Sequence, residues 1–474
     1  MQQDEKYIAD VVRRVIDEIE KQSRININSF NSNAGPVFDD VNSAVAASKR
    51  AQKEWAGKPK SVKAKIIEEL RACMHSYAED FSRRAVEETG MGRVEDKIIK
   101  HHNAATHTPG IEDLETRSWS GDKGLVYEDY APFGVVAAVT PSTHPVPVLF
   151  NSLVMIIASG NSVVFNVHPA AKKLSAYAVE KFDEVICCGG GPKNLVTMIK
   201  EPTIEGAEQL FAHDDVKLIA ATGGPSLVKA AFKAGKKVVA AGPGNPPVLV
   251  DETADIQNAV KCIIEGASFD NNILCIAEKE IFVVNKVFDR FMDEMERQGC
   301  VRLQMPKIKE LGALVFSVND KNEITVSRNF IGKNASVLAR AIGINIPDSV
   351  RLIYGECETT CKWVGEEQMM PFMPVVRVGS FEEGVELSVR FEHGYGHTAV
   401  IHSSNIDNIT KFTKALDVDI VVANGSSLAG LGGNSGEGYF SHTIASPTGE
   451  GICTPRNFAR VRRLAVAKSM QITN

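Results

Sequence analysis

The chain has 474 residues, 44% hydrophobic and 24% charged, with a formal net charge of −6. That length exceeds what one hydrophobic core serves, so two or more domains are expected in a soluble globular enzyme. The acidic balance and the lack of a basic block exclude general nucleic-acid binding, and apolar runs such as 134–139 and 149–158 are too short or interrupted to span a membrane.

At the N-terminus, Ile8, Val11, Val12, Val15, Ile16 and Ile19 recur at helical spacing, with charged residues on the other face. Charges break every apolar stretch, which excludes a secretory signal. Residues 4–21 hold six acids and four bases, whereas helices that lie on membranes prefer a basic polar face. Residues 22–36, rich in Asn and Ser and closed by Gly35-Pro36, read as a flexible linker. Residues 1–21 are therefore an amphipathic helix that docks on another surface, or one that folds back on its own body or a neighbouring subunit.

Asp39–Gly57 and Val62–Thr89 carry helical patterns, the second stopping at Gly90. His101, His102 and His107 lack the carboxylate or thiolate company of a metal site and read as a polar surface; no metal is expected. Residues 113–132 read as a protruding hairpin around Gly121-Asp122. From Gly134 onward strands and helices alternate: strand 134–140, helix 146–158, strand 161–167, a helix from Pro169, strand 195–199, helix 204–212, strand 216–221, helix 225–234, then strands 236–240 and 247–250. This alternation predicts an α/β fold with a doubly wound, mostly parallel sheet. No Gly-x-Gly-x-x-Gly opens any of its helices. Thr222-Gly223-Gly224-Pro225-Ser226 does follow a strand and start a helix, where free amides and the helix dipole face a pyrophosphate; an ordinary βα turn reads the same way.

The segmentation is then 37–250 for a first domain, with 113–132 as an arm segment, 251–437 for a second α/β domain, and 438–474 as a tail holding strand 460–467. The two strand segments outside the domains are expected to pair with another subunit, which would cover their edges. Nine scattered cysteines indicate reduced cytoplasmic thiols rather than a disulfide framework, and Cys357-x-x-x-Cys361 has no second pair for zinc. Cys275 stands out, in a short apolar turn between the helical run 255–269 and the strand 281–284. There a thiolate attacks carbonyls; taken alone, a buried inert cysteine is the favoured reading, since free Cys is commonly core.

Several segments in order carry a resemblance: Glu88-Thr89-Gly90-Met91-Gly92, Thr140-Pro141-Ser142-Thr143-His144-Pro145, Gly160-Asn161-Ser162-Val163-Val164-Phe165, His168-Pro169-Ala170-Ala171-Lys172-Lys173, the Cys275 turn, His393-Gly394-Tyr395-Gly396-His397-Thr398, and Ser446-Pro447-Thr448-Gly449-Glu450-Gly451. From residue 37 the chain resembles the aldehyde dehydrogenase superfamily, and within it the CoA-acylating propionaldehyde/acetaldehyde dehydrogenases of bacterial microcompartments. The resemblance implies a nucleotide-binding domain, a catalytic domain and a β oligomerisation arm in a homo-oligomer. It also implies NAD and coenzyme A as cofactor and co-substrate, a short-chain aldehyde as substrate, and a cytoplasmic place inside a microcompartment. Residues 1–21 then look like an encapsulation helix for a shell protein.

The same resemblance makes Cys275 the nucleophile, with its backbone N–H and the Thr143 side chain as oxyanion donors. Cofactor-binding positions are Thr140, Pro141, Ser142, Asn166, His168, Pro169, Thr222, Gly223, Gly224 and Gly242, with Glu367 holding the nicotinamide ribose. Asn166 replaces a lysine of hydrolytic relatives, so NAD over NADP rests on the resemblance alone. His144, where many acylating relatives have Asn, either lines the aldehyde tunnel or packs on Pro145. His397 and His402 either meet the pantetheine arm or are structural.

Ala240-Ala241-Gly242-Pro243-Gly244-Asn245-Pro246 resembles a family segment in which hydrolytic members keep a glutamate, here Ala240. Water, with a pKa near ~15.7, costs on the order of 10 kcal/mol more to ionise than a thiol near ~8.5. Without a placed base, the thioester on Cys275 is expected to leave by thiolysis to acyl-CoA. Glu278 and Glu450 are the candidate substitute bases that would instead give a hydrolytic enzyme releasing free acid. A non-catalytic scaffold using residues 1–21 is a third reading, opposed by the intact Cys275.

Overall fold

The computed structural model describes residues 35–320 and 322–470. The docking helix of residues 1–21 and nearly all of the linker lie outside the described residues. At Pro36 the chain is already in the body, where its carbonyl accepts a hydrogen bond from the Met198 N–H at 2.9 Å.

Six parallel strands form the first sheet, in the order Val37–Phe38, Val196–Ile199, Ser162–Val167, Val135–Thr140, Val216–Thr222 and Lys237–Ala241. The chain starts its winding at Val135–Thr140, works outward through Ser162–Val167 and Val196–Ile199, then returns to the other side of its starting strand. The direction of winding thus reverses between Val135–Thr140 and Val216–Thr222, and in such sheets ligands sit outside the carboxyl ends of the strands at that point. Every residue of Val135–Thr140 and Ser162–Val167 is buried, which explains their mostly apolar sequence. Helix Pro145–Ala158 is buried along its whole length. Helix Val41–Ala56 is capped by the Asp40 carboxylate, and helix Lys60–Thr89 ends in the left-handed Gly90 (φ 67°), which spares a Cβ penalty.

Seven parallel strands form the second sheet, ordered Val301–Arg302, Ile353–Glu356, Phe372–Val378, Glu280–Val284, Pro247–Val250, Thr398–His402 and Ile420–Ala423. Residues 242–246 carry the chain from the carboxyl end of the first sheet's last strand to the amino end of Pro247–Val250. The carboxyl edge of one sheet therefore faces the amino edge of the other.

Two expectations need correction. The outlying strands Arg117–Gly121, Gly124–Pro132 and Ala459–Ala467 pair with one another within the chain, as one antiparallel sheet. Only the outer edges of that sheet are left for a neighbour. The histidine group is also a polar surface only in part: His102 and His107 keep exposed surface, whereas His101 is fully buried in helix Val94–His107, its Nδ1 2.6 Å from the Lys97 carbonyl and 3.1 Å from the Ser82 hydroxyl. A stable helix can bury such a face when most of its polar groups find partners, although the His101 Nε2 has none among the described residues.

Candidate active site

Cys275 lies in the loop that joins helix Ile256–Ser268 to strand Glu280–Val284. Asp270, Asn271 and Asn272 enter it in succession with positive φ (48°, 56° and 65°), a conformation that Asp and Asn tolerate better than other side chains. Each is tied down. Asp270 accepts from the Arg93 N–H at 2.8 Å and pairs with Lys97 at 3.0 Å and with Lys100. The Asn271 amide donates to the Gly332 carbonyl at 2.8 Å, and the Asn272 amide to the carbonyls of Ala267 (2.8 Å) and Glu278 (2.9 Å). Beyond the cysteine, Lys279 donates back to the Asn272 carbonyl at 2.9 Å, the Asn272 Oδ1 at 2.6 Å and the Leu274 carbonyl at 3.1 Å. The loop is thus fixed on both sides of the thiol, which preorganises it.

Three other segments meet Cys275 at the amino edge of the second sheet, each just before its strand. Gly244 packs against the Cys275 carbonyl and the His397 ring. Glu367 accepts a hydrogen bond from the Gly244 N–H, and Gln368 donates to the Lys279 carbonyl at 2.9 Å. His397 bonds the Thr398 hydroxyl through Nδ1 at 2.9 Å, while its Nε2 has no partner among the described residues. His402 lies at the opposite end of strand Thr398–His402, away from the thiol.

Although Cys275 and Glu367 keep some exposed surface, protein surrounds both groups. Burial pushes the Cys275 thiol up to about 12; the Glu367 charge adds to this, while Lys279 and the N–H groups of Cys275 and Ile276 oppose it. Burial also lifts Glu367 to about 6, against Lys279 and the Gly244 N–H. Lys279 is itself lowered by burial, with Glu367 and Cys275 pulling the other way. His397 drops to about 4 through burial and is neutral at physiological pH.

Glu278 points elsewhere. It is fully buried, accepts from the N–H and hydroxyl of Ser427 (both 2.8 Å), and packs on Gly266. Ala240 belongs to an apolar cluster with Val139 and Ala221. The turn Ser446–Thr448 closes over this strand: the Thr448 hydroxyl accepts from the Ala240 N–H at 3.1 Å, and Pro447 packs on Gly242.

The cofactor candidates spread along the carboxyl edge of the first sheet. Val139 is level with Ala221 and with Asn166, so Thr140 and Thr222 end their strands side by side at the winding reversal. The Thr140 hydroxyl is buried without a partner among the described residues, a polar group that a ligand at this crevice would satisfy. Pro141 and Ser142 follow it, half-buried. Gly223 donates to the Ala241 carbonyl at 3.1 Å, and Gly224 caps helix Pro225–Lys233, its carbonyl accepting from the N–H groups of Leu227 and Val228 at 3.1 and 3.3 Å. Asn166 is buried and donates to the Thr203 carbonyl at 3.0 Å, which keeps it in the sheet's framework. His168 is exposed; its Nδ1 accepts from the Ala170 N–H at 3.1 Å, and Pro169 opens the short helical turn Pro169–Ala171.

Thr143 precedes His144, which caps helix Pro145–Ala158. Lys97 donates to the Thr143 carbonyl at 3.4 Å and pairs with Asp270, so one buried cation spans the Thr143 and Cys275 segments. His144 is drawn the same way, its Nδ1 2.9 Å from the Lys100 ammonium. Sequence reasoning did not find Lys97, Lys100, Asp270, Lys279 or His442 as members of this site. The Asp-Asn-Asn run before the thiol was the available signal, since these residues favour left-handed backbone.

The sequence profile of the aldehyde dehydrogenase family matches residues 33–439. The chain is 43% identical to the acetaldehyde dehydrogenase (acetylating) EutE of Salmonella typhimurium, over 92% of this chain and 93% of that protein. It is 39% identical to a propanal dehydrogenase (CoA-propanoylating) of Citrobacter freundii, over 92% and 94%. A propionaldehyde dehydrogenase from the Clostridium phytofermentans fucose utilisation bacterial microcompartment superposes with a TM-score of 0.90 at 43% identity, covering 93% of this chain and 100% of that one. The Rhodopseudomonas palustris propionaldehyde dehydrogenase, solved with bound CoA and an acylated cysteine, gives 0.90 at 39% identity, over 93% and 100%.

Proposed function

The chain belongs to the aldehyde dehydrogenase family, and from that premise we propose that it oxidises a short-chain aldehyde to an acyl-CoA with NAD and coenzyme A, through a thioester on Cys275. The similarity to acetylating and propanoylating relatives supports this reading, as does the acylated cysteine in one of the related structures. Thr140, Pro141, Ser142, Asn166, His168, Pro169, Thr222, Gly223, Gly224 and Gly242 form the dinucleotide crevice, and Glu367 holds the nicotinamide ribose. Residues 37–250 are the nucleotide-binding domain, 251–437 the catalytic domain and 438–474 the end of the oligomerisation arm.

In the mechanism, the Cys275 sulfur adds to the aldehyde carbon, and the Cys275 N–H and Thr143 hydroxyl hold the resulting oxyanion. Bound NAD supplies the hydride acceptor when the oxyanion collapses to the thioester. The fixed loop around Cys275 holds the sulfur in line, and Lys279 favours its thiolate form. The coenzyme A sulfur then attacks the thioester carbonyl, releasing acyl-CoA and the Cys275 thiolate.

One observation favours thiolysis over hydrolysis: the glutamate position of hydrolytic relatives is an alanine, and the carboxylate nearest in sequence to Cys275 is tied up. Ala240 sits in an apolar cluster, and Glu278 is held by Ser427. Product analysis with and without coenzyme A tests this. Acyl-CoA should form only with the thiol present; free acid released at full rate in its absence would establish the hydrolytic alternative.

Two placements go with this reading. Residues 1–21 dock the enzyme on a microcompartment shell protein in the cytoplasm, and the arm sheet joins subunits of a homo-oligomer. Among the described residues no helix is long and apolar enough to cross a membrane. Deletion of residues 1–21 should leave activity intact and abolish co-purification with shell protein; retained co-purification would reject the docking role.

A further inference from the structure

Next to the nucleophile, on elements that take no part in the nucleotide crevice, lies a cavity of about 320 Å³. Leu274, the neighbour of Cys275, forms one wall, and Leu428, Leu431 and Phe440 give it an apolar side. Asp96, Asn103, Glu265 and Arg351 add a polar rim, and two further polar residues are nearly enclosed. Lys100 and His442 are only 2% and 6% exposed, yet both line the cavity. They are joined through His144: Lys100 reaches its Nδ1 at 2.9 Å, and the His442 ring stacks on it at 5.8 Å and 22°. The Nε2 of His442 has no hydrogen-bond partner among the described residues.

We infer that this cavity receives the carbon chain of an aldehyde bearing a hydroxyl group, with His442 and Lys100 as the residues that select it. The inference rests on the proposed reaction and names its substrate class. A buried imidazole nitrogen without a partner is costly, and an unsubstituted alkyl chain would leave it so. A hydroxyl both donates and accepts, so it satisfies a neutral imidazole in either tautomer and still accepts from the Lys100 ammonium. Burial holds His442 down to about 3 and His144 well below its usual range, so neither brings positive charge.

An ionised substituent fits less well. Lys97 and Lys100 share Asp270, Arg351 pairs with Asp96 and Glu95, and the lining adds the carboxylate of Glu265, so the cations are already matched. The site therefore has no spare charge for a carboxylate, whose burial without a counter-ion is disfavoured. A site that hydrogen-bonds a substrate hydroxyl discriminates strongly against the analogue lacking it, because its own polar groups are then left unpaired.

The test uses the full chain with NAD and coenzyme A, comparing 2-hydroxypropanal, propanal and succinate semialdehyde by NADH formation. The expected result is a kcat/KM for 2-hydroxypropanal at least ~10-fold above that for propanal, with the anionic aldehyde poorest. In His442→Leu the ratio of hydroxylated to plain aldehyde should fall by ~10-fold, and His442→Gln should restore part of it. Preference for propanal in the native enzyme would overturn the inference, as would an unchanged ratio in His442→Leu, since the polar groups would then be served by water. Preference for succinate semialdehyde would overturn it in favour of an anion site. Failure of every aldehyde to give coenzyme A-dependent turnover would instead reject the proposed reaction.

Discussion

Gly244 lies so close to the Cys275 backbone that a Cβ on it would come within 2.6 Å of the Cys275 carbonyl oxygen. The same atom would sit 3.0 Å from the His397 ring, so neither neighbour offers a flexible side chain that could yield. Gly244→Ala must therefore shift the nucleophile loop. A displacement of about 1 Å costs on the order of 10²-fold in rate, and kcat/KM for the acylation step should fall by roughly that factor. Circular dichroism should remain native, and a variant with unimpaired turnover would show that the loop relaxes freely.

The thiol, raised to about 12, is nearly all protonated at neutral pH in the ligand-free enzyme. Alkylation of Cys275 by iodoacetamide should therefore climb ~10-fold per pH unit from about pH 7 to 9 without a plateau. The ionised Glu367 disfavours the thiolate and Lys279 favours it. Glu367→Gln should accordingly accelerate alkylation at fixed pH, and Lys279→Met should slow it. Mass spectrometry of the Cys275 peptide gives the rates; two changes in the same direction would refute the electrostatic account.

Asp270 is fully buried between Lys97 and Lys100, and it also holds the Arg93 N–H. Removing one partner from a buried ionic group costs ~3–5 kcal/mol, because the charges left behind stay uncompensated. Asp270→Asn should lower the thermal midpoint well beyond the effect of a surface Asp→Asn control, with loss of activity. An unchanged midpoint would mean that the two lysines simply deprotonate.

The arm sheet presents Val461 and Leu464 at 61% and 59% exposure on its Ala459–Ala467 edge strand. Apolar residues on an open strand edge are an invitation to pairing. Val461→Asp with Leu464→Asp should reduce the mass measured by light scattering while leaving the fold intact. An unchanged mass would place the subunit contact elsewhere.

The winding of the first sheet was legible because its strands are buried on both faces and its helices alternate with them in strict order. Helix Ile204–Ala212 and strand Pro247–Val250 fall where their patterns predict. Helix Val94–His107 was not legible, since the face it buries carries Asp96, Lys97, Lys100 and His101 instead of an apolar stripe. Their partners lie far along the chain: Lys100 meets Asp270 across 170 residues. No local window contains both. The outlying strands were visible as strands, but alternation cannot say whether an edge meets its own chain or another. His442, a single imidazole in a stretch without periodicity, gave no signal until the fold set it on His144.

The stack between His144 and His442 also ties together distant parts of the chain. His144 opens helix Pro145–Ala158, whereas His442 and the Phe440 ring that meets it edge-on come some three hundred residues later. The wall beside the thiol therefore closes only when both segments are seated, and a break between them would open it while the sulfur stayed in its loop.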